Sequence, residues 1–225
     1  MPDGFEEADH ADGVELAAYA EAAGRVIAAF PGASVSRVAD GWEHRWREFH
    51  RALEIGPLWV GPPWHSPPAG SIAVVVDPGR AFGTGAHPTT RLCLELLLGE
   101  TRGSVLDLGC GSGVIAITAA ALGFAPVLAV DLDPVAVGVA RANAEANGVE
   151  VTVGEADVRS AELPAAGLAV ANIALDAVCA LAGRLRVPRL IASGYRSEDR
   201  PEIAGFRPLE RRVLDGWAAE LLVVR

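Results

Sequence analysis

The run Val105-Leu106-Asp107-Leu108-Gly109-Cys110-Gly111-Ser112-Gly113, with Asp131 closing the next apolar stretch, constrains this chain more than any other feature. It reads as a strand, a turn in which glycine alternates with small residues, and a helix start at Val114. Glycine is needed in such a turn where a Cβ would hold the backbone away from a bound molecule, and where the dihedrals disfavour other residues. Asp131 stands at the end of Val127-Leu128-Ala129-Val130, 22 positions after Gly109. At the carboxyl end of a strand, beside the crevice of an open α/β sheet, its carboxylate can accept from both hydroxyls of a ribose. The pattern implies a site for an adenosine-bearing cofactor. A strand-to-helix turn with no ligand is the other reading of the glycines taken alone.

The third glycine separates two cofactor classes. The dinucleotide fingerprint is G-x-G-x-x-G, whose last glycine allows close helix packing beside a pyrophosphate at the helix N-terminus. Here the spacing is D-x-G-x-G-x-G, and Val114 stands where that last glycine belongs. A nicotinamide or flavin dinucleotide is therefore disfavoured. The spacing resembles motif I of the S-adenosylmethionine-dependent methyltransferases.

Composition sets the remaining bounds. With 225 residues, 51% of them hydrophobic, the chain has material for one large or two small domains with a buried core. The longest apolar stretch, Val114 to Val130, is broken by Gly123 and Pro126 and falls short of the roughly 20 residues that span a bilayer. The acidic start, Met1-Pro2-Asp3-Gly4-Phe5-Glu6-Glu7, lacks the features of a signal peptide, so a cytoplasmic, non-membrane protein is expected. Cys93, Cys110 and Cys179 have no C-x-x-C spacing, and the histidines have no metal-binding spacing, so neither disulfides nor a metal are expected. A net charge of −10 disfavours nucleic-acid binding and suits a basic protein or amine substrate.

Along the chain, 14–19 reads as a strand, 21–30 as a short helix and 34–38 as a second strand, a β-α-β fragment. Trp42, Trp46 and Phe49 then share one helical face, most simply as packing. A proline-rich passage from Pro57 to Pro68 reads as a short strand and a linker. Beyond it, apolar runs at 72–76, 104–108, 127–131, 150–153, 168–172 and 188–192 alternate with helix-like segments, the mark of a parallel, doubly wound sheet. Leu214-Asp215-Gly216 between 206–213 and 217–224 signals an antiparallel hairpin. The expected organisation is a small N-terminal α/β domain with linker over 1–67 and an α/β domain over 68–225.

Two acids after the third strand divide the work. Asp131 is placed for a ligand, and Asp133, directly before Pro134, for capping the next helix. A second constellation is Asp77-Pro78-Gly79-Arg80-Ala81-Phe82-Gly83-Thr84-Gly85-Ala86-His87-Pro88-Thr89-Thr90, a loop dense in glycine and hydroxyls leading into a helix around 91–98. Its backbone donors suit an anionic carboxylate; a flexible turn with a threonine cap is the plainer alternative.

That loop, the glycine run and Ala171-Asn172-Ile173-Ala174 together resemble the ribosomal protein L-eleven (L11) methyltransferase family, whose members modify lysine ε-amines and an N-terminal α-amine. The similarity extends from the Trp42/Trp46 segment through Pro62-Pro63-Trp64 to Ser193-Gly194 and Asp215-Gly216-Trp217. It implies a class I methyltransferase fold: a Rossmann-like, seven-stranded, mostly parallel sheet ending in an antiparallel hairpin, plus a small, shortened N-terminal α/β domain. It implies that Thr90, Gly109, Asp131 and Asn172 contact S-adenosylmethionine, with Gly111, Asp107 and Phe82 or Thr84 beside them. A protein substrate, L11 itself, and a monomeric enzyme are expected.

Asn172 is the candidate for the acceptor. At a strand end, its side-chain carbonyl accepts from an amine without adding charge; capping the following helix is its structural alternative. Methyltransferases that act on planar amides or flipped bases carry Asn-Pro-Pro and an aromatic, whereas this chain has Asn172-Ile173-Ala174-Leu175, which favours a flexible amine. In-line displacement needs the amine neutral, and a lysine with a pKa of about 10.4 must first lose a proton. His87 is a candidate to assist, with a structural role as its alternative. The chain departs from the family in its short N-terminal region and at 181–188. Other readings stay open: a lysine of a different protein, a small amine, a nucleotide-dependent oxidoreductase, or a non-catalytic cofactor-binding protein.

Overall fold

The computed structural model describes residues 5–10 and 13–18 as backbone, and 52–77 and 87–225 in full. The chain divides into two units, Met1–Arg47 and Glu48–Arg225. In the first, β1 (Phe5–His10) pairs antiparallel with β2 (Gly13–Ala18), in register from Phe5 opposite Ala18 to His10 opposite Gly13. The strand expected at 14–19 is β2, but its partner is the acidic start of the chain. The helix expected at 21–30, the strand at 34–38 and the Trp42/Trp46/Phe49 face lie outside the described residues.

The second unit opens with a three-stranded sheet. β3 (Leu53–Ile55) turns at Gly56-Pro57 into the antiparallel β4 (Leu58–Gly61), which is joined in parallel by β5 (Ile72–Val75). The apolar run 72–76 is thus not a strand of the large sheet, as the alternating pattern predicts. The proline-rich passage carries the chain back so that 72–75 lies along the open edge of β4, where Ile72 N–H donates to Pro57 O at 2.8 Å and Val76 N–H to Gly61 O at 2.9 Å. The unit therefore includes β3 and β4 ahead of position 68, and Leu53, Leu58 and Val60 join its core.

The large sheet has seven strands in the order β11-β12-β10-β9-β6-β7-β8. These are β6 (Val105–Leu108), β7 (Val127–Asp131), β8 (Thr152–Glu155), β9 (Leu168–Asn172), β10 (Arg189–Arg196), β11 (Phe206–Leu214) and β12 (Trp217–Val224). β8, β7, β6, β9 and β10 are parallel, and β12 runs antiparallel between β10 and β11. The hairpin turn has φ 48° at Asp215 and 76° at Gly216, as a two-residue turn matched to strand twist requires. The chain winds outward from β6 through β7 to β8, then returns to place β9 on the other side of β6. The order reverses between β6 and β9, and the crevice above that point is where open α/β sheets take ligands.

Four helices among the described residues cover the sheet: α1 (Pro88–Leu98), α2 (Val114–Ala121), α3 (Pro134–Ala146) and α4 (Leu175–Ala182). Leu92, Leu97, Ile117, Val137 and Ala140 pack on one face of the sheet, and Val178 and Leu181 of α4 on the other. Small residues let α3 come close: a Cβ at Gly113 would stand 3.0 Å from that of Ala140. None of the helices searched is long and apolar enough to cross a membrane.

Asn143 of α3 and Asn147, its C-cap, tie the end of the smaller sheet to this helix. Asn147 accepts from Val75 N–H at 2.8 Å and donates to Val75 O at 2.6 Å, imitating a strand neighbour, and Asn143 does the same for Asp77 at 3.1 and 3.2 Å. Asn147→Ala leaves the Val75 backbone without these partners and is expected to cost about 1–2 kcal/mol, read as a lowered urea midpoint with an unchanged m-value.

Candidate functional site

A cavity of about 360 Å³ opens at the carboxyl ends of β6, β7 and β9, with Thr90, Gly109, Gly111, Asp131 and Asn172 in its lining. These positions span more than eighty residues of sequence, and the switch in strand order brings them together.

The turn after β6 is held from beneath. Gly109 N–H and Cys110 N–H both donate to Val130 O, at 2.8 and 3.0 Å, and Gly111 N–H donates to Asp131 Oδ2 at 2.8 Å. Asp131 Oδ1 accepts from Asp133 N–H at 3.0 Å, so one carboxylate shapes both the glycine turn and the turn into α3. Each of its oxygens retains acceptor capacity beyond these bonds. Asp133 caps α3 through Val135 N–H at 2.8 Å, with Pro134 following, as the sequence predicts.

Asn172 ends β9 in register with Ser193 of β10. It does not cap α4, whose N-cap is Ala174 without a side-chain bond. Its Nδ2 instead donates to Thr90 Oγ1 in a long bond of 3.4 Å, which biases the amide's orientation and leaves its carbonyl oxygen out of that bond. Thr90 is buried in the first turn of α1.

Two candidates stand elsewhere. Asp107 is 1% exposed and absent from the cavity lining. Its Oδ2 accepts from Ala116 N–H at 3.0 Å in the first turn of α2, whose own N-cap, Gly113, offers no side chain. It is thus the cap of α2 supplied from β6, and its Oδ1 has no hydrogen-bond partner among the described residues. Burial pushes this carboxyl up to about 7; the Ala116 bond opposes the rise and the Asp131 charge adds to it. His87 caps α1, with Nδ1 accepting from Thr89 N–H at 3.3 Å and lying 2.7 Å from Thr89 Oγ1. Its ring meets Trp217 edge-on at 4.9 Å, and burial, reinforced by Arg196, lowers its pKa. A helix cap whose basicity is lowered and which lies outside the cavity lining is poorly placed to take a proton from an acceptor. Phe82 and Thr84 lie outside the described residues.

The cavity also has lining that sequence patterns did not single out: Leu132, Asp157, Arg159 and Ile173. Asp157 follows β8 as Asp131 ends β7, and an acid just past an apolar run was the available signal. Ile173 has an ordinary core-residue pattern and carries none.

The fold and the sequence are similar to those of known proteins. A family model described as ribosomal protein L11 methyltransferase (PrmA) matches residues 9–195. The ribosomal protein L11 methyltransferase of Exiguobacterium sp. is 39% identical over 201 residues, covering 80% of this chain and 64% of its own length. That of Symbiobacterium thermophilum is 39% identical over 198 residues, covering 81% and 65%. The chain therefore spans just under two thirds of the length of these curated relatives. The crystal structure of a ribosomal protein L11 methylase from Lactobacillus delbrueckii subsp. bulgaricus superposes with a TM-score of 0.71 at 25% identity, over 78% of this chain and 100% of that one. With most of its length matched by the family model, and with relatives well above 30% identity, the chain belongs to the ribosomal protein L11 methyltransferase (PrmA) family.

Proposed function

We propose that this protein transfers methyl groups from S-adenosylmethionine to protein amines, lysine ε-amines and an N-terminal α-amine, of ribosomal protein L11. The observation that carries the reading is the convergence of Thr90, Gly109, Gly111, Asp131 and Asn172 on one cavity at the switch point of the sheet. Family membership supports it, and the names of the relatives supply the acceptor. An enzyme with that acceptor would work in the cytoplasm.

The residues suit the methyl donor. The cavity falls in the range of small-molecule sites, roughly 300–1,000 Å³, and Leu132, Val114 and Ala156 give it apolar walls around the Asp131 carboxylate. Asp131 would hold the ribose hydroxyls, and the 109–111 turn would lie along the rest of the molecule. The bound donor supplies a methyl group on a cationic sulfur; the C–S bond breaks as the amine forms its N–C bond, and the proton lost from nitrogen goes to solvent.

The chain's own contribution is placement. Asn172, oriented through Thr90, accepts from the incoming amine and aims its lone pair, and it adds no charge that would hold the amine protonated. No strong base is required, because the lysine reaches the site neutral after deprotonation by water or by desolvation beside the cationic donor.

The test is calorimetry with S-adenosylmethionine and S-adenosylhomocysteine, followed by transfer of labelled methyl to purified L11. Micromolar or tighter binding and label on L11 are expected. Binding of a nicotinamide dinucleotide in place of S-adenosylmethionine overturns the donor, and label on another protein or a small amine overturns the acceptor. Asn172→Ala is expected to lose at least about tenfold in kcat, a larger loss than in S-adenosylhomocysteine affinity.

A further inference from the structure

Two glycines from distant parts of the chain are confined by one residue, Ile173. A Cβ at Gly109 would stand 2.3 Å from Ile173 Cγ2, and a Cβ at Gly194 would stand 2.1 Å from Ile173 O and 2.7 Å from its carbonyl carbon. Both are far inside the 3.5–4.0 Å at which non-bonded carbons settle. The collisions differ in kind. Gly109 meets a side chain, one whose branched Cβ keeps Cγ2 from swinging aside. Gly194 meets main chain.

The setting gives this consequence. Gly194, at φ +98°, forms the irregularity in β10 between Ser193 and Tyr195, where pairing with β12 shifts register. Ser193 is level with Asn172 on the neighbouring strand, so the bulge lies directly behind the peptide that follows Asn172. Such bulges re-aim neighbouring groups beside functional sites. Ile173 faces the cavity together with Gly109, the first residue of the glycine turn.

We propose that Gly194 and Ile173 are positioning residues for methyl transfer: the Gly194 bulge seats the Asn172–Ile173 peptide from behind, and the Ile173 side chain fills the notch that Gly109 leaves. The donor turn and the acceptor amide are thereby set against each other through a single residue. The proposal rests on the methyltransferase reading and adds to it the part that fixes the distance between its two halves.

The experiment measures S-adenosylhomocysteine affinity of Gly109→Ala and Gly194→Ala, each with Ile173 present and with Ile173→Ala. In the Ile173 background both are expected to weaken binding at least tenfold. In the Ile173→Ala background the Gly109→Ala loss shrinks by about threefold or more, because the obstructing methyl is gone, but does not vanish, because φ +77° at Gly109 still strains any Cβ. The Gly194→Ala loss persists, because main chain still obstructs. With L11 as acceptor and kcat referred to sites titrated with S-adenosylhomocysteine, Gly194→Ala is also expected to lower kcat at least tenfold with KM for L11 little changed; the site titration removes the contribution of unfolded protein, which lowers apparent kcat in the same way. Thermal melts establish folding; if Gly194→Ala does not fold, the Gly109→Ala and Ile173→Ala pair still tests the notch. Unchanged affinity and kcat in Gly194→Ala overturn the proposal, as does Ile173→Ala relieving both glycine variants or neither. A wild-type protein that fails to bind S-adenosylhomocysteine overturns the methyltransferase reading instead.

Discussion

Asp131→Ala is expected to weaken S-adenosylhomocysteine binding at least a hundredfold while leaving the protein folded. Two losses combine. The carboxylate that would take the ribose hydroxyls goes, and so do its bonds to Gly111 N–H and Asp133 N–H, 2.8 and 3.0 Å long, which set the glycine turn before any ligand arrives. Hydrogen bonds to a charged group are worth about 1.5–3 kcal/mol each, and a hundredfold in affinity is about 2.8 kcal/mol. Asp131→Asn keeps one acceptor oxygen and is expected to fall between the variant and wild type. Isothermal calorimetry at one pH and salt concentration measures all three. Affinity within threefold of wild type in Asp131→Ala would remove Asp131 from the site.

Asp107→Asn is expected to gain stability relative to wild type as pH rises, by roughly 2–3 kcal/mol between pH 5 and pH 8. Burial raises this carboxyl from 3.8 to about 7 in the folded protein. Between those values the folded state holds a proton that the unfolded chain has released, so wild-type stability declines as pH increases, and the decline is complete above the folded value. The asparagine still offers an acceptor to Ala116 N–H and carries no charge. The titratable groups coupled to Asp107, namely Asp131, Cys93 and Cys110, are common to both proteins, so the difference isolates this one carboxyl. Urea unfolding at the two pH values gives the result; a stability difference independent of pH would show that Asp107 titrates in its ordinary range.

These outcomes follow the boundary between features readable from residues in order and features created by approach in space. The strand, turn and helix start at 105–114, the division of labour between Asp131 and Asp133, and the Asp215-Gly216 hairpin were legible because each depends on dihedrals and caps within a few residues. Asn172 was legible as a strand end, but its orientation was not, since Thr90 lies on α1, 82 positions earlier. The run 72–75 has the composition of a parallel strand and is one, though only Val74 of it is buried, and only the path of the proline-rich passage determines that its neighbour is β4. His87 and Asp107 have the residue types of catalytic and binding groups, and tertiary position turned both into helix caps.

Hydrophobic period and glycine spacing act locally, so residue order alone was enough for the α/β class, the glycine turn after β6 and the acid at the end of β7. Tertiary structure decided which polar groups share the cavity and why Gly109 and Gly194 have no side chain. The sequence suggested that a Cβ at Gly109 would obstruct a ligand; the fold shows that it would first strike Ile173, 64 residues later in the chain. Excluded volume between atoms remote in sequence has no signature in either segment alone, and it appears only when the strand order brings β6, β9 and β10 side by side.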